Sequence, residues 1–182
     1  VSGLTGTISD VNFRFDGSSC SNIAGSTTVG LNHTFVGDLV VTLQSPSGTM
    51  VTVINRLSNG GGGNSGNNFC QTLLDDSGSV TIQSQLSAAA PLTGTFIPAN
   101  ALSAFNGENP NGTWQLRVTD FFVGDIGSIR AFSLVIDSGG VPCTLTCPGN
   151  IVTNEDAPGS GSAIVNYPDP TENGACQFVF CD

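Results

Sequence analysis

The sequence predicts an all-β protein, an antiparallel β-sandwich or jelly roll with a short disulfide-rich β tail. Three observations carry that expectation. Apolar and polar residues alternate in short runs, the period-two mark of half-buried strands. The runs are punctuated by turn formers, with 24 Gly and 9 Pro among 182 residues, in the way that short strands and tight turns alternate in sandwiches. Helical character is confined to about one turn at residues 99–105.

Residues 11–16 alternate, with Val11, Phe13 and Phe15 on one face. Residues 38–44 place Leu39, Val41 and Leu43 together and stop at Ser45-Pro46-Ser47-Gly48, where Pro and Gly occupy the positions that turn geometry favours. Residues 49–54 resume as a partner, so 38–54 reads as a β-hairpin. Val80 with Ile82, and then Thr95, Phe96 and Ile97, mark two shorter strands. Residues 113–119 put Trp114, Leu116 and Val118 on one face, and residues 129–136 group Phe132, Leu134 and Ile136. The glycine-rich stretch 60–68 reads as a loop; no Lys and no helix follow it, which excludes a phosphate-binding loop. Residues 139–142 read as a hinge between a domain at 1–138 and a segment at 143–182. That segment holds four of the six cysteines and is too short for a core without disulfides or a partner.

Composition narrows the function. Only 10% of residues are charged, against about 25% in ordinary soluble domains. Fourteen Asp and Glu face four Arg and no Lys, for a net charge of −10. Such a surface has no basic patch for nucleic acid or anionic lipid and suits divalent cations instead. No apolar run approaches the roughly 20 residues of a membrane helix. Neither an initiator Met nor a signal peptide opens the chain, which reads as a processed piece. Six cysteines in this acidic, lysine-free context favour disulfides in an extracellular or cell-surface setting over zinc. Among them only Cys143 and Cys147 have metal-like spacing.

The run from His33 through Asp38 and Leu39 to Ser45-Pro46-Ser47-Gly48-Thr49 opens a series of ordered blocks. Leu74-Asp75-Asp76, Pro91-Leu92-Thr93-Gly94-Thr95-Phe96 and Leu102-Ser103-Ala104-Phe105-Asn106-Gly107 follow. Asn111-Gly112-Thr113-Trp114-Gln115-Leu116-Arg117-Val118-Thr119-Asp120 and Gly124-Asp125-Ile126-Gly127-Ser128 complete it. Over residues 1–138 this order resembles the P domain of proprotein convertases and secreted subtilisin-like proteases. The resemblance implies an eight-stranded jelly-roll sandwich. It also implies a non-catalytic module whose partner is an adjacent protease domain or another module of the parent chain. The segment 143–182 resembles the opening of a hyalin-repeat (HYR) module, through Cys147-Pro148-Gly149-Asn150-Ile151-Val152 and Ala163-Ile164-Val165-Asn166-Tyr167-Pro168-Asp169-Pro170. Such a module normally needs about twice this length, so the segment reads as partial.

The chemical inventory argues against catalysis. A serine-protease triad would have to use the single His33, with Ser65 as nucleophile in a loop that lacks the strand-to-helix elbow. In the family resemblance His33 is structural, and Trp114 reads as core because it alternates in register with Leu116 and Val118. The acids suit calcium, which takes six to eight oxygen ligands. Asp38 stands at a strand start, Asp75 and Asp76 precede a Gly turn, and Asp120 ends the Trp114 strand, all expected where loops converge at one end of a sandwich. Some relatives bind calcium in this module, and Asp38, Asp76 and Asp120 lie in the matching blocks. The same aspartates can equally cap turns without any metal. Within the P-like region Cys20 and Cys70 are the only cysteines, so their pairing is the economical expectation, leaving Cys143, Cys147, Cys176 and Cys181 to pair within the tail.

The leading functional expectation is therefore an accessory, stabilising module of a secreted protease. One alternative is a filament subunit that self-associates by strand exchange through residues 143–182. A weaker one is an adhesion or glycan-binding module using the 60–68 loop.

Overall fold

The period-two pattern is realised directly in side-chain burial. Leu39, Val41 and Leu43 are sealed from solvent while Val40, Thr42 and Gln44 between them are partly exposed. The computed structural model describes residues 1–58, 63–139, 144–146 and 171–173. It divides at Gly139 into two units, Val1–Gly139 and Gly140–Asp182.

The first unit contains β1 (Thr7–Phe15), β2 (Leu31–His33), β3 (Leu39–Gln44), β4 (Met50–Asn55), β5 (Phe69–Leu74), β6 (Leu92–Phe96), β7 (Gln115–Asp120), β8 (Gly127–Ile129) and β9 (Phe132–Gly139). Short 3-10 turns lie at Val36–Asp38, Ile82–Ser84, Ser87–Ala89 and Leu102–Phe105. In the second unit β10 (Thr144–Thr146) pairs antiparallel with β11 (Thr171–Asn173). The hinge residues 140–142 and all four tail cysteines lie outside the described residues.

Two sheets form the sandwich. One runs β4-β3-β7, and the other runs β8-β2-β5-β1-β9 with β6 attached to β5. In the larger sheet β1 and β2 are two pieces of one interrupted strand. Phe15 pairs with Thr72 and Leu31 with Phe69 along the same side of β5. The backbone closes the gap through Gln71 N–H to Asp16 O and Gly30 N–H to Phe69 O. β8 and β9 follow that break on the outer side, where the amides of Arg130 and Ala131 both donate to Gly30 O. The excursion between the two pieces carries Cys20, which is disulfide-bonded to Cys70 on β5.

The sandwich is all-β, but not wholly antiparallel, since β6 runs parallel to β5. Parallel neighbours need a long crossover connection, and the 17 residues between these two strands supply it. Val80 and Ile82 do not form a strand. Thr81 makes a single bridge to Ile97, and its hydroxyl then accepts from the Gln83 amide to cap a 3-10 turn. The strand expected over 129–136 is split at residues 130–131 into β8 and β9, because the break between β1 and β2 must be matched by their neighbour.

The core between the sheets is built on aromatics. Phe13, Phe15 and Phe69 are fully buried, with Phe13 and Phe15 edge to face at 4.9 Å. Phe105 meets Trp114 in the same geometry at 5.0 Å. One flank stays less well covered. Leu116 and Val118 on β7 pair with buried Leu43 and Val41, and Leu134 and Ile136 on β9 pair with buried Phe13 and Val11. All four remain only partly buried, because β7 and β9 are the edge strands of their sheets.

Candidate functional site

The residues with most chemistry gather where the chain crosses between sheets. β2 passes to β3 through residues 34–38, and β7 returns to β8 through residues 121–126. The two crossovers are bonded together by Thr34 N–H to Ile126 O and by Phe121 N–H to Asp38 O. Arg56, just after β4, reaches the same place, its amide donating to Leu39 O. A pocket of about 250 Å³ opens there, lined by residues that include Leu31, His33, Val118, Asp120 and Ile129.

His33 is almost completely buried and both its ring nitrogens are engaged. Nε2 lies 3.2 Å from Asp120 Oδ2, and Nδ1 lies 2.9 Å from Phe35 O and 3.1 Å from the Phe35 amide. A neutral ring fits by donating to Asp120 and accepting from the Phe35 amide; a charged ring fits by donating to Asp120 and to Phe35 O. Either way no nitrogen is left to activate a hydroxyl. Ser65 pairs instead with the Ser87 hydroxyl at 3.0 Å.

Asp38 is 4% exposed, and Arg56 Nη2 sits 3.5 Å from its Oδ1. Burial, and then the nearby Asp125 carboxylate, push the Asp38 carboxyl above its ordinary value, and Arg56 only partly offsets them. Asp120 accepts from His33 through one oxygen and from the Phe122 amide through the other. Asp125 accepts from the Thr34 hydroxyl at 2.8 Å.

The remaining pair of expected metal ligands lies elsewhere. Asp75 and Asp76 follow the far end of β5, a six-residue strand about 20 Å long, while His33 lies against its start at Asn68. Asp75 accepts from the Ser77 amide in an Asx turn. Both oxygens of Asp76 accept amides, of Leu102 and Ser103, and so cap the 3-10 turn there. Neighbouring Asp10 has its carboxyl raised by burial first and then by the charges of Asp75, Asp137 and Asp76. Among the described residues no three His, Cys, Asp or Glu side chains come close enough to share an ion. The four aspartates therefore fall into two separate pairs, Asp38 with Asp120 at the crossovers and Asp75 with Asp76 beyond the end of β5.

Sequence reasoning singled out His33, Asp38 and Asp120 but not Arg56, which stands beside Asp38. Arg56 is an isolated cation between a strand and a glycine-rich loop, and only the fold brings it beside Asp38.

The fold and the site define a two-sheet β-sandwich module in which His33 and Ser65 are engaged in contacts of their own. The comparisons agree: the model of the proprotein convertase P-domain matches residues 25–136, well over half of the chain, and the chain belongs to that family. It is similar to a calcium-dependent protease of Trichormus variabilis, with 31% identity over 114 residues, or 62% of this chain. The match spans only 13% of that relative's length. No solved structure matches the chain. P domains are accessory modules of proteases.

Proposed function

We propose that this chain is the accessory P module of a secreted subtilisin-like protease and stabilises the neighbouring catalytic domain without taking part in bond cleavage. The observation that carries the reading is the family match over the sandwich, joined to a site in which His33 has both nitrogens engaged. The similarity to a protease supports the same parent class. An extracellular location is supported by the Cys20–Cys70 disulfide and by the acidic, lysine-free composition. Among the described residues no helix is long and apolar enough to cross a membrane.

The test compares the parent protease with and without residues 1–139. Loss of the module is expected to shorten the enzyme's half-life on heating while leaving kcat on a short peptide unchanged. Equal half-lives overturn the stabilising role, and peptidase activity in the isolated chain overturns the non-catalytic one.

A further inference from the structure

We propose that the crossover end of this sandwich is locked by the protein's own side chains, Arg56 against Asp38 and His33 against Asp120, and takes no calcium. The idea goes beyond membership of the P-domain family. Two crossovers between sheets must be held together here, and a carboxylate stands at each: Asp38 at the end of one and Asp120, the last residue of β7, just before the other. In a calcium-bound sandwich a divalent ion would meet that need. In this chain Arg56 stands beside Asp38 Oδ1 and His33 beside Asp120 Oδ2, and the second Asp120 oxygen is taken by the Phe122 amide. A calcium ion placed between these carboxylates would lie against a guanidinium of like charge, and Arg56 would have to leave.

The position of Arg56 is built. Its backbone adopts a left-handed φ of 45°, which costs energy for any residue with a Cβ, and its amide is bonded to Leu39 O. Its Nε is buried without a hydrogen-bond partner among the described residues. The backbone bond fixes where the side chain starts, and from there the guanidinium reaches Asp38. The other aspartates suited to calcium, Asp75 and Asp76, lie beyond the opposite end of β5 and have oxygens committed to amides.

The experiment uses the full 182-residue chain, melted in millimolar calcium and in chelator, as wild type, Arg56→Met, Asp38→Asn and the double variant. Wild type is expected to melt at the same temperature in both buffers. Arg56→Met is expected to lower Tm by about 4–8 °C in both, since it leaves Asp38 buried without its cation. The double variant is expected to recover most of that loss, because the charge left stranded is gone. A saturable rise of wild-type Tm with calcium that Asp38→Asn abolishes overturns the proposal. So does an Arg56→Met chain that melts like wild type. A calcium-dependent rise kept by Asp38→Asn places the ion elsewhere and upholds the assignment at this end. Should Arg56→Met not fold, calorimetric titration of wild type and Asp38→Asn with calcium decides: heat of binding lost in Asp38→Asn overturns it, and its absence in wild type supports it.

Discussion

Gly127 sits where β8 presses on His33. A Cβ there would stand 2.2 Å from Asn32 O and 2.5 Å from His33 Cδ2, so the residue is glycine for space. Gly127→Ala is expected to cost about 1–3 kcal/mol, read as a lower urea midpoint with an unchanged slope. Asp10 makes the opposite case, a residue whose charge opposes the fold. Its folded carboxyl titrates above the ordinary value of 3.8, so the native state holds its proton more tightly than the unfolded chain. Between those two pKa values stability falls as pH rises, and the full penalty is present once both states are ionised. Asp10→Asn is therefore expected to raise Tm at neutral pH, with a gain that shrinks as pH falls through the raised pKa and vanishes below 3.8. Paired melts of the two proteins across that range check it. Local sequence showed that His33 and Asp120 belonged to structured blocks. It did not show that they touch, because 87 residues separate them and only sheet-to-sheet crossing joins them.

Strands with one solvated face were easy to read. β3 and β7 alternate, and their apolar facing positions are the buried or half-buried ones, while β4 follows the pattern until a register shift buries Val53 and Ile54 together. β5 escaped because it is central: Phe69, Cys70, Thr72 and Leu74 are all buried, and Gln71 adopts a left-handed φ of 50° that breaks the alternation. The interruption of β1–β2 was equally hidden, since local pattern does not reveal that two short segments flank the same neighbour. The Cys20–Cys70 bridge spans 50 residues and closes over that interruption. Loop entropy assigns such a bridge roughly 4 kcal/mol. The Cys20→Ala, Cys70→Ala double variant is expected to lose about that much by urea unfolding, with a steeper denaturant slope as its unfolded chain expands.

At the scale of the whole molecule, composition and turn spacing sufficed for the all-β class. The parallel placement of β6 required knowing where a 17-residue connection lands. The division at Gly139 suggests that the sandwich is self-sufficient. A chain ending at Gly139 is expected to keep the β-rich circular dichroism and the cooperative melting of the sandwich. Gradual, non-cooperative loss of signal on heating would show that residues 140–182 are needed.

The open flank between the edge strands has an optical consequence. Trp114 is the single tryptophan of the chain. It is half-buried on the same face as Leu116 and Val118, with its indole N–H held by Pro110 O at 3.0 Å. A native dye thus stands beside the seam, in contact with both core and water. Any neighbour that seals the seam shifts its emission to the blue and shields it from iodide quenching. The protein thereby reports its own docking without a label.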